Sequence, residues 1–169
     1  MHPLAFGPLD AKILVVTAFP SVHDEHKKIL FSDSAGAEFK KMLAEAGIDA
    51  NDVYFTSILP KRPFASDLDN LWTTEKKIAK ARSFEHSRQG EAYFSPAIQR
   101  DLELFRQTVR AIQPNVIIAL GNFPLWVCTG EVSVSNFRGS LEKMQYAGTD
   151  RAFKVIATYA PEQIFKMWE

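Results

Sequence analysis

Residues 11–36 read AKILVVTAFPSVHDEHKKILFSDSAG, and this stretch decides the fold. Ile13, Leu14, Val15 and Val16 form a short apolar run rich in β-branched residues, the pattern of a strand covered on both faces. Pro20 marks a turn directly after it. Val22 to Leu30, carrying His23, Asp24, Glu25, His26, Lys27 and Lys28, reads as a polar loop. The run Phe31-Ser32-Asp33-Ser34-Ala35-Gly36 then opens a helix. Ligands in open α/β sheets bind beyond the carboxyl ends of such strands, so a site would begin at Thr17.

Working outward, Met1 to Asp10 holds Pro3, Gly7 and Pro8 and reads as an irregular lead-in. Ser34 is placed to cap a helix from Ala35 to Ala46, with Phe39, Met42, Leu43 and Ala46 on one face and Gly47 as its stop. A second strand runs Val53 to Leu59 and is broken by Pro60-Lys61-Arg62-Pro63. Pro96 to Ile112 is a helix burying Ile98, Leu102, Phe105, Val109 and Ile112. Val116 to Leu120 is a third strand, a helix follows around Pro124 to Cys128, Phe137-Arg138-Gly139 is a loop, and Phe153 to Thr158 is a fourth strand. Strands alternating with helices predict an α/β fold, a three-layer α/β/α sandwich on a central four-stranded, mainly parallel sheet. One domain spans the 169 residues, 46% of them hydrophobic. The last residues, Gln163 to Glu169, read as an amphipathic helix without a stop signal, as in a domain belonging to a longer chain.

Twenty basic and twenty acidic residues balance to a formal charge of zero, so nucleic-acid binding would have to rest on a local basic patch. Cys128 is the only cysteine, which excludes an internal disulfide and a cysteine-ligated cluster. Its apolar neighbours Trp126 and Val127 read as those of a buried structural thiol. No signal peptide or apolar run of membrane-spanning length is present, and a cytoplasmic location, in a bacterial or phage-infected cell, is expected.

The ordered set FGPLDAKILVV, a Pro-containing turn, F-x-x-x-A-G, VYFTSILPKRP, NVIIALG, FRGS and TYAPEQIF resembles the uracil-DNA glycosylase superfamily, nearest to its iron–sulfur branch. The resemblance spans nearly the whole chain except residues 64–93. It implies a base-excising ancestry, with DNA as the partner. Domains similar to this family also occur fused ahead of DNA polymerases in some bacteriophages, so a fused or associated polymerase is a second expected partner. The branch's cluster-ligating cysteines fall on Lys61 and near Phe94, so no iron–sulfur cluster, no other cofactor and no metal are expected.

Such enzymes extrude a nucleotide, hold the base against an aromatic face and stabilise a departing base anion. The resemblance places the first motif's acidic or amide group on Ala18, the base-reading Asn on Ser57, and the late His on Ala160. Phe31 falls on the base-stacking position. The family's excision residues are therefore replaced, and a catalytically inactive DNA-binding or docking module is the leading expectation. Thr17, Phe19, Phe31 and Ser57 would form the base pocket; Pro20, Ser21, Lys61, Arg62, Arg138 and Pro161 would contact DNA. In the alternative, an active glycosylase of altered specificity, Asp24 or Glu25 supplies the water-positioning carboxylate, although a solvated polar loop is the better reading of the same residues. A protein-interaction scaffold without DNA contact is the third reading. Residues 64–93 interleave Lys76, Lys77, Lys80, Arg82, His86 and Arg88 with Trp72, Phe84 and Tyr93, which suits a nucleic-acid strand or a loop covering the sheet.

Overall fold

The computed structural model describes residues 2–87, 91–145 and 151–166. Arg88 and the end of the expected C-terminal helix, Met167 to Glu169, lie outside the described residues. In chain order the elements are β1 (Ile13–Thr17), α1 (Val22–Lys27), α2 (Ser34–Glu45), β2 (Val53–Ser57), β3 (Trp72–Thr73), α3 (Lys76–Ala81), β4 (Glu85–His86), β5 (Tyr93–Phe94), α4 (Gln99–Ile112), β6 (Val116–Leu120), α5 (Asn122–Thr129), α6 (Val134–Phe137), β7 (Leu141–Gln145), β8 (Ala152–Thr158) and α7 (Pro161–Lys166). The main sheet has the order β2-β1-β6-β8-β7. Its first four strands are parallel, with Thr17 opposite Ser57.

The sheet has five strands rather than the expected four. β7 joins the edge antiparallel to β8, Met144 facing Phe153 in the ladder. Its sequence, LEKMQ, alternates too weakly to stand out, and pairing with β8 supplies the order its own pattern lacks.

Successive side chains of the parallel strands go to opposite faces. Leu14 and Val16 join Tyr54, Ile117 and Val155 against α4 and α5. Val15 joins Val53 and Phe55 against Phe39 and Leu43 of α2. These two apolar layers make the three-layer sandwich. The lead-in adds a bridge, Phe6 exchanging two backbone hydrogen bonds with Phe55, and the two rings stack 4.8 Å apart.

Two local expectations are corrected. Asp33, not Ser34, caps α2, its carboxylate accepting the Gly36 N–H at 2.8 Å. Residues 22–27 are a helix rather than a loop. Ser21 and Asp24 close a reciprocal capping box at its start, and Lys28 ends it in the left-handed conformation. The apolar periodicity is missing from VHDEHK, so only the cap betrays the helix.

The Phe31/Gly36 pair is a packing device. Phe31 has φ 56° and is buried between Phe39 and Phe55. A Cβ on Gly36 would lie 2.4 Å from the Phe31 carbonyl, so only glycine lets α2 start so close.

Candidate functional site

β1, β6 and β8 point their carboxyl ends at a cleft of about 520 Å³, within the ~300–1,000 Å³ of typical small-molecule sites. Thr17, Ala18 and Phe19 line it where β1 ends, and Ala160 lines it where β8 gives way to α7. Leu120, Gly121 and Asn122 enter it from the β6–α5 junction. Arg62 and Ser66 reach it from the loop after β2, and Trp72 from the small sheet. The indole N–H of Trp72 is buried with no acceptor among the described residues.

Of the expected base-pocket residues, Thr17 and Phe19 line this cleft; Phe31 and Ser57 do not. Phe31 is a wall of the α2-side core, 6% exposed. Ser57 lines a separate small cavity against α4. Its hydroxyl donates to the Leu59 carbonyl at 2.7 Å and lies 2.8 Å from His2 Nε2. His2 Nδ1 accepts the Leu4 N–H at 3.1 Å, which assigns the ring proton to Nε2. Ser57 therefore accepts from His2 and donates to Leu59. Burial lowers the His2 pKa, which favours this neutral ring.

Both carboxylates offered by the 22–30 segment are already engaged. Asp24 is buried; its Oδ2 accepts the Ser21 N–H at 3.0 Å, and its Oδ1 accepts the Ser32 N–H at 2.8 Å and the Ser32 hydroxyl at 2.7 Å. Glu25 accepts the Arg62 N–H at 3.1 Å and Arg62 Nε–H at 3.0 Å. The Arg62 backbone N–H, then its guanidinium, hold the Glu25 carboxyl below its ordinary 4.5. A depressed folded pKa stabilises above the unfolded value and is lost as pH falls through the folded one. Glu25→Gln should therefore cost roughly 0.2–1 kcal/mol at neutral pH. In thermal melts this gap should close as pH drops below 4.5. A gap unchanged down to about pH 3 would remove the pair from the stability balance.

Of the expected DNA contacts, Ser21 and Arg62 line the cleft, whereas Pro20, Lys61, Arg138 and Pro161 are not among its lining residues. Ser21 lines it, but its N–H and hydroxyl are spent on Asp24. Pro20 and Pro161 are buried, each next in sequence to cleft-lining residues, and Lys61 is exposed. Arg138 is exposed, its guanidinium 5.5 Å from the Tyr159 ring centre.

Sequence reading missed Glu162. It lines the cleft together with Gln163 and Lys166 from α7. Glu162 keeps solvent contact, yet lost hydration first, and then the nearby charges of Asp33 and Asp24, raise its pKa. The available signal was topological: APEQ follows a parallel strand at its carboxyl end, where ligands gather.

The described residues of the 64–93 segment, 64–87 and 91–93, fold onto the body of the protein. β3, β5 and β4 form a small antiparallel sheet. Trp72 packs 5.4 Å from Phe123 and 5.8 Å from Trp126, and Phe94 lies 5.7 Å from Trp126. These two aromatics serve the core, while Lys76, Lys77 and Lys80 are exposed on α3. His86 is exposed and meets Tyr93 edge-on at 4.9 Å.

An iron–sulfur cluster needs several thiolates. The chain's single cysteine is buried on α5, where burial pushes its pKa up to about 12. The residues present do not fit such a cluster; at one expected ligand position, Phe94 packs on Trp126 instead.

An open, mainly parallel sheet with its cleft at the strand ends is the architecture in which α/β domains place their ligand sites. The chain belongs to the Uracil DNA glycosylase superfamily, whose family model matches residues 4–169. It is 27% identical over 140 residues to a DNA polymerase of Bacillus phage SP01, covering 82% of this chain and 13% of the polymerase. It is also 27% identical over 163 residues to the type-4 uracil-DNA glycosylase of Archaeoglobus fulgidus, covering 94% of this chain and 69% of that enzyme. The chain thus spans only a small part of the polymerase it resembles. Among the described residues no helix is long and apolar enough to cross a membrane.

Proposed function

We propose that this domain docks DNA at its strand-end cleft without cleaving the sugar–base bond. One observation carries the reading: methyl groups of Ala18 and Ala160 line the cleft where an excising relative needs polar groups. The third such position, Ser57, faces His2 and Leu59 on the other side of the sheet end. Phe19 offers an apolar face and Thr17 a hydroxyl within the cleft. In this reading the exposed Lys61 and Arg138 meet phosphates, Arg62 enters the cleft with its charge paired to Glu25, and the turns at Pro20–Ser21 and Pro161 are further strand contacts. The likeness to part of a phage DNA polymerase supports work beside a polymerase, in replication or repair.

The test is a gel shift of the 169-residue protein on single-stranded and duplex DNA across a salt series. Phosphate contacts predict affinity that falls steeply and log-linearly with salt, by roughly 0.9 log unit per log unit of salt for each duplex phosphate neutralised. Lys61→Ala with Arg138→Ala should flatten that slope. No retardation even at low salt would favour the protein-scaffold reading.

Glu162 favours one second reading, an active glycosylase of altered specificity. A carboxyl of raised pKa beside Gln163, Asn122 and Phe19 is a chemically reasonable water-positioning group. Asp24 and Glu25 are poorer candidates, because their oxygens already hold the α1 cap and the Arg62 loop.

A further inference from the structure

Phe64 stands 85% exposed, the most exposed large apolar side chain among the described residues. Its turn is braced on every side. Pro63 before it is buried, and Ala65 and Ser66 after it both sit in the left-handed region, at φ 54° and 55°. Asn70 Nδ2 donates to the Phe64 carbonyl at 3.0 Å. Arg62, clamped by Glu25, donates from Nη1 to the Ser66 hydroxyl at 3.1 Å. Arg62, Ser66 and Leu68 line the cleft, and Phe64, between them in sequence, is not one of its lining residues. Lys61 is exposed three residues earlier, and Asp67, also exposed, lies three residues later with one carboxylate oxygen accepting the Asp69 N–H.

We infer that Phe64 is a stacking platform for a base of the DNA strand whose neighbouring nucleotide lies at the cleft. An aromatic ring standing in water on a braced backbone, three residues from the exposed Lys61 and flanked in sequence by cleft-lining residues, offers an unstacked base a π-face with a phosphate partner nearby. The inference rests on the docking reading and names the surface by which the strand would be held.

The test is photocrosslinking and binding with short oligonucleotides, single-stranded and mismatched duplex, carrying 5-iodouracil at successive positions. The wild-type protein should crosslink through Phe64, identified by peptide mass spectrometry. Phe64→Ala should lose that crosslink and weaken binding roughly 5- to 100-fold. The salt slope should not change, because no charge is removed. Phe64→Trp should keep both the crosslink and the affinity. An unchanged thermal melt for each variant is expected from the exposure of the site. If the wild type binds DNA but Phe64→Ala binds equally well and crosslinks map elsewhere, the platform is overturned, docking stands, and Phe64 is left to a protein partner. If the wild type binds no DNA at low salt, the docking reading fails and the platform falls with it.

Discussion

A duplex carrying a single uracil is expected to survive prolonged incubation with an excess of this protein. One missing oxyanion donor costs on the order of a hundred- to a thousandfold in rate. The resemblance puts the family's anion-stabilising His on Ala160 and its acidic or amide group on Ala18, both of which line the cleft with methyl side chains, and the Ser57 hydroxyl is bonded to His2 and Leu59. Groups acting on one transition state are not additive, so the combined loss is not a simple product, yet even one factor takes a slow enzyme toward background. Reinstating polar groups probes this directly. Ala160→His alone should recover little, because a single donor has no partner on the opposite lip. Ala18→Glu with Ala160→His should recover measurable alkali-sensitive sites if scaffold and strand contacts survive. Alkali cleavage resolved on a denaturing gel is the measurement, with hypoxanthine and hydroxymethyluracil substrates in parallel. Excision of any of these by the wild type, abolished by Glu162→Gln, would sink the inert reading and make Glu162 the working carboxylate.

The largest stability effect is expected at Phe55. It is fully buried in β2, stacked on Phe6 at 4.8 Å and tilted against Phe31 at 5.1 Å. Phe55→Ala removes the centre of that aromatic group and leaves a cavity, a change that costs about 3–5 kcal/mol. For a chain of this length the melting temperature should fall by roughly 10 °C or more. Urea unfolding monitored by circular dichroism gives the free energy. A loss below about 1.5 kcal/mol would mean the α2-side core repacks around the gap. Phe64→Ala is the internal control: the same chemical change at an exposed ring should move stability by no more than about 0.5 kcal/mol.

The contrast between these two phenylalanines shows what was legible before the structure. β1 and β6 announced themselves as the short continuous apolar runs of strands covered on both faces, whereas β2 ends in Thr56 and Ser57 and β8 alternates buried and exposed residues. Phe31, by contrast, was assigned a role by its place in a motif. In the fold its left-handed backbone and the close approach of Gly36 seat it in the core, which motif spacing does not reveal. Asp24 illustrates the reverse: a carboxylate in a charged stretch reads as solvated, but two donors from Ser32, eight residues on, make it a buried cap.

The order of local apolar patterns along the chain was sufficient for the parallel α/β sandwich, for the position of the cleft at the end of β1, and for the alanines at positions 18 and 160. These are properties of single residues and short periods. The fifth strand, the folding of 64–93 onto Trp126, the withdrawal of Ser57 and Phe31 from the cleft, and the entry of Glu162 into it were decided only in three dimensions. Each of those depends on a partner far away in sequence, and a hydrogen bond or ring contact across such a distance leaves no mark on the local pattern that a sequence presents.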